Sequence, residues 1–376
     1  MRNFIVFCCI VFATRSAAQF AIGNQSMTYT DLSRNRDLPF ELLYPASTAG
    51  TGVSCAEGVF PYVVLAHGFS MQATDYTYMA EELAANGYVV LQLATESGFA
   101  PSHEDYALDI LFLATHFREE NLTNGSLFAG HVLAKVGVIG HSMGGGATWL
   151  AAAQANGNID CLVGMAPAET TPSAIDAAPD VTIPAIIFSG SSDAVTPPAQ
   201  HHQPIFEATS ATCKIFVNVL EGSHCGFADG GTLCQFGELG FNGLAADVQQ
   251  SIALDLVNAW MDWHLKDVAS AENVIASYDG TQSHTQMQIS CLTSNLAATD
   301  FSRIAVYPNP CDTKLYVVMT NESHSLHLCY PDGKCIPLQT LQFSRGKAEW
   351  DVSVLAPGIY TLIDSADGSI YRFIVR

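Results

Sequence analysis

A serine between two glycines is the first feature of this sequence that could do covalent chemistry. Ser142 stands in the stretch IGHSMGGGATW, within a Gly-x-Ser-x-Gly pattern formed with Gly140 and Gly144. The apolar run 135–139 precedes it and a helical pattern begins at Met143, so the sequence predicts a strand, a sharp turn and a helix. A serine on such a turn is a candidate nucleophile, because the glycines let neighbouring backbone approach and the helix N-terminus supplies N–H groups. A helix start rich in small residues is the alternative, and the pattern alone does not exclude it.

A serine nucleophile needs a general base and an acid that orients the base. Asp193 lies just past one apolar run, and His224 lies just past the next one. Catalytic groups gather at the carboxyl ends of parallel strands, and the chain order Ser, Asp, His is known for such triads. We therefore expect Asp193 to orient His224 and His224 to take the proton from Ser142. The alternative role of Asp193 is to cap a helix in the segment that starts at Pro197.

The other histidines near these motifs are weaker candidates for the base. His141 lies inside the turn, and His67 has the setting of a structural hydrogen-bonding residue. His201 and His202 lie on a predicted helix, where we expect both side chains to be exposed. His224 therefore remains the preferred base.

Acyl transfer also needs N–H donors for the oxyanion of its tetrahedral intermediate. The N–H of Met143 is one expected donor, and the N–H of Phe69, in the turn after the apolar run 62–66, is the other. We expect Phe69, Met143 and the segment around Ala168 to line a shallow apolar groove. The segment 166–183 is too short for the helical lid of a lipase, so the sequence predicts a cleft that is open to water.

Apolar runs alternate with amphipathic helical patterns from about residue 38 to residue 265. Short strands rich in Val and Ile are typical of a parallel sheet that is covered on both faces. The predicted strands span 38–44, 62–66, 88–94, 135–139, 161–165, 183–190 and 214–220. The predicted helices span 73–86, 104–120, 143–154, 198–209 and 244–265. This alternation predicts an α/β fold with a mostly parallel sheet flanked by helices.

Composition shifts divide the chain into four predicted segments. Residues 1–18 have the positive start, apolar core and small-residue cleavage site of a signal peptide, and the apolar run is too short to span a bilayer. Residues 19–291 form the predicted catalytic domain, and 292–302 form a small polar linker. Residues 303–376 contain only short alternating strands, which predict a small all-β sandwich.

Charge and cysteine content narrow the classes of partner. The formal net charge of -21 argues against nucleic acid and anionic membrane surfaces. Of 11 cysteines, two lie in the predicted signal peptide, and an exported chain is expected to form disulfides among the other nine, whose odd number leaves at least one free thiol or an intermolecular bond. Cys225 and Cys234 flank a glycine-rich loop after His224, and we predict a disulfide between them. The cysteines show no C-x-x-C spacing, so we expect no zinc site, and the expected serine chemistry needs no cofactor.

Four stretches resemble the α/β-hydrolase fold, and within it the cutinase-like and polyester-hydrolase group related to dienelactone hydrolases and chlorophyllases. They are HGFSMQATDYTYMAEELAANGYVVLQL, GHSMGGGATWLAAA, IPAIIFSGSSDAVTPP and LEGSHCGF. The resemblance implies that Ser142, Asp193 and His224 form the catalytic triad, with Phe69 and Met143 as the oxyanion hole.

The sequence differs from the resembled families at two positions, and its C-terminal segment resembles a further family. Ala168, in GMAPAET, stands where the polyester-hydrolase group usually has a Trp, so the resemblance implies at best weak polyester hydrolysis. Dienelactone hydrolases use a Cys nucleophile where this chain has Ser142. The stretches VYPNPCDTKLYV and LAPGIYTLIDSADGSIYRFIV resemble the C-terminal sorting domain of type IX secretion in the Bacteroidetes, which implies contact with the secretion machinery. An accessory sandwich that binds a polymeric substrate is the alternative for this tail.

The sequence therefore predicts an exported, monomeric serine carboxylic-ester hydrolase that acts on short-to-medium acyl esters or on bulky and polymeric esters. The alternatives within this fold are a polyester hydrolase and a chlorophyllase-like or lipase-like esterase. A non-catalytic surface binding protein on an inactive hydrolase scaffold is the alternative from another class, and the intact serine turn, acid and histidine argue against it.

Overall fold

Two units make up the part of the chain that the structure describes. The structure is a computed structural model, and it describes residues 19–278, 284–291, 304–307, 313–319, 326–330, 334–337, 347–364 and 370–375. The division between the units falls between Leu292 and Thr293. The predicted signal peptide 1–18 and the predicted linker 292–302 lie outside the described residues.

One large sheet organises the first unit. Its strands are β1 (Ala21–Asp31), β2 (Arg36–Ala46), β3 (Gly50–Thr51), β4 (Phe60–Ala66), β5 (Val89–Leu93), β6 (Val132–His141), β7 (Cys161–Met165), β8 (Ala185–Gly190), β9 (Cys213–Val219) and β10 (Thr285–Cys291). They lie in the order β10-β9-β8-β7-β6-β4-β5-β2-β1-β3. The strands from β5 to β9 in this order pair in parallel, and β2 and β10 join them antiparallel.

Helices cover both faces of this sheet. They are α1 (Thr77–Ala85), α2 (His103–His116), α3 (Met143–Ala153), α4 (Ala174–Ala177), α5 (His202–Ala208), α6 (Thr232–Gly237), α7 (Ala246–Leu265) and α8 (Ser270–Tyr278). Along β4, Tyr62 and Val64 belong to one apolar cluster, whereas Val63 and Leu65 belong to another. Side chains alternate between the faces of a strand, so both faces of this strand are buried, which is why its sequence is apolar without interruption.

The predicted α/β class is confirmed, and each of the seven predicted strands overlaps an observed one. Strands β1, β3 and β10 and the helices α4, α6 and α8 were not predicted. Strands β1 and β10 lie toward the ends of the sheet and mix polar with apolar residues, so they lack the apolar run by which the central strands were recognised.

One disulfide links the last two strands at one edge of the large sheet. Cys213 at the start of β9 pairs in register with Cys291 at the end of β10, and the two form a disulfide. Within the described residues, Cys55 and Cys161 are free and buried. In the same described part of the chain, no helix has the length and apolar character needed to cross a bilayer.

Two small antiparallel sheets form the described part of the second unit. One contains β11 (Ile304–Tyr307), β12 (Lys314–Met319) and β15 (Lys347–Asp351), and the other contains β13 (Leu326–Cys329), β14 (Cys335–Pro337), β16 (Gly358–Asp364) and β17 (Ile370–Val375). One apolar cluster includes Leu315 of the first sheet and Leu328 and Leu362 of the second. This shared core fits the predicted all-β module.

Candidate active site

Ser142 occupies a strained turn between β6 and α3. Its φ of 54° and ψ of -119° lie in a region that residues with a side chain rarely adopt. Strain of this kind persists only where the surroundings impose it. The N–H of Ser142 donates to the carbonyl of Met165, and its carbonyl accepts the N–H of Ala168. These bonds fix the turn against the end of β7.

The glycines of the motif are required by close backbone packing. A Cβ on Gly140 would lie 2.3 Å from the carbonyl oxygen of Gly144, and a Cβ on Gly144 would lie 2.4 Å from that of Ala66. Both distances are far inside van der Waals contact, so no other residue fits at either position without a backbone shift. The Gly-x-Ser-x-Gly pattern therefore has a steric cause here.

Asp193 and His224 meet at the carboxyl ends of β8 and β9. The Nδ1 of His224 donates to Oδ2 of Asp193 at 2.7 Å. The N–H groups of Val195 and Thr196 donate to Oδ1 of the same carboxylate at 2.9 and 2.8 Å. Burial raises the pKa of Asp193, but the hydrogen bonds from His224 and Thr196 outweigh this effect and bring the pKa below its ordinary value. Asp193 is thus an ionised carboxylate that also caps its own turn.

Ser142 lies beside this pair without a direct bond to it. Among the described residues, no hydrogen bond joins the Ser142 hydroxyl to the ring of His224. Ser142 keeps 7% of its surface exposed, whereas His224 keeps 2%. Catalytic hydrogen bonds in free enzymes are often long and shorten only when substrate binds. The structure therefore brings two of the three predicted residues into contact and places the third on the adjacent turn.

A chain of hydrogen bonds that the sequence analysis missed connects the surrounding loops. The N–H of Gly68 donates to the Tyr76 hydroxyl at 2.9 Å, and this hydroxyl lies 2.7 Å from Nδ1 of His141. The Nε2 of His141 lies 3.1 Å from the carbonyl of His224, which can only accept. His141 is therefore protonated at Nε2, and Tyr76 donates to its Nδ1. Burial holds the pKa of His141 well below its ordinary value, which makes it a neutral structural link.

The turn after β4 lies directly against the serine. A Cβ on Gly68 would lie 3.3 Å from the Cβ of Ser142. The next side chain, Phe69, is 45% exposed, and Ser70 has a positive φ of 53°. Backbone N–H groups of this turn and of Met143, the first residue of α3, are thus close to Ser142. Met143 itself is only 3% exposed, so its side chain offers little surface to a substrate.

Comparison with known proteins identifies the family of the first unit. The family described as PET hydrolase-like matches residues 40–240, a range that contains Ser142, Asp193 and His224. The chain belongs to the PET hydrolase-like family. A second match, described as a secretion system C-terminal sorting domain, covers residues 305–376. The suspected resemblance to polyester hydrolases and to the sorting domain is therefore confirmed.

Two relatives match this chain at low identity. A bis(hydroxyethyl) terephthalate hydrolase of Streptomyces coelicolor is 25% identical over 216 residues, which cover 56% of this chain and 64% of that protein. Cutinase est1 of Thermobifida alba is 23% identical over 168 residues, which cover 43% of this chain and 52% of that protein. The chain thus spans less than two thirds of either relative.

Ala168 borders the serine turn of this PET hydrolase-like domain. Its N–H bonds to the Ser142 carbonyl, and a Cβ on Gly146 of α3 would lie 2.2 Å from its carbonyl oxygen. The segment around Ala168 is therefore packed tightly on the start of α3. A methyl group stands at this border, where the sequence analysis noted that the resembling enzymes usually carry an indole ring.

The prediction that His202 is exposed was wrong. Its ring is fully buried, with Nδ1 2.8 Å from the Ser189 hydroxyl and Nε2 2.9 Å from the Thr196 hydroxyl. Helix α5 begins at His202, later than predicted, and His201 precedes it. The spacing of apolar residues along a helix therefore could not show which of the two adjacent histidines points inward. His201 is partly buried, and its Nδ1 accepts the N–H of Glu169.

The predicted structural role of His67 agrees with its contacts. His67 is buried, and its Nδ1 and Nε2 lie 2.8 Å from the carbonyl oxygens of Gly68 and Thr95. Burial lowers the pKa of this ring below its ordinary value. His67 therefore ties the turn after β4 to the loop after β5.

A short segment after His224 borders the PET hydrolase-like site from another side. The Sγ atoms of Cys225 and Cys234 lie 2.01 Å apart in a disulfide that closes this loop. Beyond α6, the Oε1 of Glu238 accepts the backbone N–H of His224 at 2.5 Å. A Cβ on Gly237 would lie 3.0 Å from Val195, so the segment also approaches the loop that carries Asp193. The predicted Cys225–Cys234 disulfide is present, whereas the contacts of Glu238 and Gly237 have no signal in the sequence.

Clusters of metal-ligating side chains were sought in the described part of the chain. There, no group of three or more His, Cys, Asp or Glu side chains is arranged to hold a metal ion.

Proposed function

We propose that this chain is a serine carboxylic-ester hydrolase in which Ser142 is the nucleophile, His224 the general base and Asp193 the residue that orients it. The observation that carries the proposal is the strained φ of Ser142 on a turn next to the Asp193–His224 hydrogen bond. Strained residues concentrate at functional sites. Membership of the PET hydrolase-like family supports the same reaction class.

The proton inventory of the site fits this chemistry. Because Nδ1 of His224 donates to ionised Asp193, the lone pair of neutral His224 is on Nε2. Nε2 takes the proton of Ser142 as the serine oxygen attacks the ester carbonyl, and it returns that proton to the leaving alcohol. Water, activated by the same nitrogen, then cleaves the acyl-enzyme. Asp193 stabilises the imidazolium in both steps.

The oxyanion of each tetrahedral intermediate is bound by the backbone N–H groups of Phe69 and Met143. The proximity of the Gly68 turn to Ser142 supports the first donor, and the position of Met143 at the N-terminus of α3 supports the second. Preorganised donors of this kind stabilise the transition state because they need no reorientation as charge develops.

The substrate of this site is proposed to be a short-to-medium acyl ester or a bulky or polymeric ester in an open cleft without a lid. Phe69, at 45% exposure, supports a cleft that is open to solvent. Only the short helix α4 and one helical turn lie between β7 and β8, which supports the absence of a lipase-type lid. A polyester is the second candidate, because both relatives carry the names of hydrolases for terephthalate esters or cutin.

The second unit is proposed to serve export through type IX secretion, so that the secretion machinery is its partner and the mature enzyme is secreted or attached to the cell surface. The sorting-domain match over residues 305–376 supports this role. The predicted division into a signal peptide (1–18), catalytic domain (19–291), linker (292–302) and sorting domain (303–376) is part of the same proposal, as is a monomeric state.

Replacement of Ser142 by Ala tests the proposed reaction. The variant is expected to lose about a thousandfold or more in kcat on a short p-nitrophenyl ester, because the covalent route is removed. Circular dichroism and thermal unfolding should match those of the wild-type protein, since alanine relieves rather than adds contacts. Ser70→Ala, on the neighbouring turn, is the matched control and is expected to stay within a few-fold of wild type. Activity of Ser142→Ala within tenfold of wild type would contradict the assignment.

A further inference from the structure

We infer that Thr196 and His202 are positioning residues that hold Asp193 in place for His224, as an outer layer of the proposed triad. The inference rests on the proposed function and adds two residues to it. Both side chains are buried next to the Asp193 carboxylate, and neither was singled out by the sequence analysis as part of the site.

The hydroxyl of Thr196 lies at the centre of this group. It is 2.9 Å from Oδ2 of Asp193, 2.8 Å from Nδ1 of His224 and 2.9 Å from Nε2 of His202. The carbonyl oxygen of Ala166 is farther away, at 3.3 Å. A hydroxyl has one proton to donate and two lone pairs to receive protons. The three shorter contacts can therefore all be hydrogen bonds only if the Thr196 hydroxyl donates in one of them and accepts a proton in the other two.

The negative charge on Asp193 decides where the protons of His224 and Thr196 lie. His224 Nδ1 carries a proton, because it faces the carboxylate at 2.7 Å, and this N–H is shared between Oδ2 of Asp193 and the Thr196 hydroxyl. The Thr196 hydroxyl must then direct its proton toward Oδ2, since two oxygens 2.9 Å apart without a proton between them would repel each other. The remaining lone pair of the Thr196 oxygen is left to accept a proton from His202.

His202 supplies that proton in its Nε2–H form. Burial lowers the pKa of His202 to about 3, so the ring is neutral and carries only one N–H. A bare Nε2 would direct a lone pair at the Asp193 carboxylate 3.6 Å away, whereas an Nε2–H is attracted to it. The Ser189 hydroxyl, 2.8 Å from Nδ1, then donates to this nitrogen. In this arrangement each of these contacts joins one donor to one acceptor.

The direction of donation runs from Ser189 through His202 and Thr196 to Asp193. As a result, the Asp193 carboxylate accepts a hydrogen bond from Thr196 in addition to those from His224 and from the backbone N–H groups of its own turn. Without the Thr196 hydroxyl, Oδ2 would be held by His224 alone, and the imidazole would lose a partner that fixes its plane. Turnover, rather than binding of the ester, should therefore depend on Thr196 and His202.

Two pairs of variants of the full chain test the inference on a short p-nitrophenyl ester. Thr196→Val removes the hydroxyl at constant shape, and Thr196→Ser keeps it. His202→Leu removes the ring donor, whereas the amide of His202→Gln can donate from near the position of Nε2. A hydrogen bond to a charged group supports an expected loss in kcat of about 10- to 100-fold for Thr196→Val and about tenfold for His202→Leu. KM should stay within about twofold, and the Ser and Gln variants should restore most of the lost kcat.

Thermal unfolding of each variant separates positioning from folding. If Thr196→Val does not fold, the His202 pair answers the same question one contact farther from Asp193. Folded Thr196→Val and His202→Leu proteins with kcat within about threefold of wild type would overturn the inference. A loss in both Leu and Gln variants alike would overturn the role of the His202 proton. A wild-type protein that hydrolyses no ester would overturn the proposed function itself, which is a different result.

Discussion

Tyr76 links three loops of the site through one buried hydroxyl, and its replacement by Phe should disturb all three. The hydroxyl accepts the N–H of Gly68 and donates to Nδ1 of His141, which in turn donates to the carbonyl of His224. Tyr76 is fully buried, so water cannot replace the lost partner. Tyr76→Phe thus leaves one donor and one acceptor unsatisfied. Each costs about 1–3 kcal/mol, which gives an expected loss of about 2–6 kcal/mol in the free energy of unfolding.

The assay is urea unfolding of the full chain, monitored by tryptophan fluorescence and by residual ester hydrolysis. Tyr78→Phe is the matched control, because Tyr78 lies two residues away on the first turn of α1 and its hydroxyl donates to the carbonyl of Phe227 in a partly buried position. We expect the control to lose about 1 kcal/mol. Tyr76→Phe should also lower kcat/KM by about tenfold, since the turn that carries Phe69 loses its anchor. Equal stability of the two variants would refute the role assigned to the Tyr76 network.

Three further predictions follow from the same structure. Replacing both Cys225 and Cys234 by Ser should lower the free energy of unfolding by about 2–3 kcal/mol in the chain-entropy model, and unreduced peptide mapping that finds both thiols free would contradict the bond. A chain that ends at Leu292 should keep ester hydrolysis but lose export, whereas one that ends at His284 should lose activity because β10 and the Cys213–Cys291 disulfide are gone. Specificity should rise with acyl length at about 0.8 kcal/mol per covered methylene and stop between about two and eight carbons, and a continued rise with interfacial activation would reveal a lid.

The sequence was sufficient for those parts of the site that follow apolar strands. Ser142, Asp193 and His224 each come just after a buried strand, and parallel strands bring their carboxyl ends to one edge of the sheet. Local spacing was also sufficient for Cys225 and Cys234, which lie close in sequence on either side of a loop. In both cases a short-range pattern determines a spatial relation.

Features that depend on pairing between distant segments were not predictable in the same way. Strand β10 is polar and is held by β9 and by a disulfide to Cys213, which is 78 residues away in sequence. His202 is buried only because Thr196 and Ser189 offer it partners, and a lone polar residue at a helix start is more often exposed. Tyr76 has the sequence context of any helical core aromatic, and its hydroxyl partners come from the turn after β4 and from the end of β6.

Identification of the residue that becomes covalently modified tests the central claim most directly. The protein is treated with diethyl p-nitrophenyl phosphate, which transfers a phosphoryl group to an activated serine, and the product is mapped by peptide mass spectrometry. The proposed mechanism predicts one adduct, on Ser142, whose formation releases one equivalent of nitrophenol. Labelling of His224→Ala should be slower than that of the wild-type protein by at least about a hundredfold. An adduct on another residue, or labelling of Ser142 at the same rate without His224, would contradict the account.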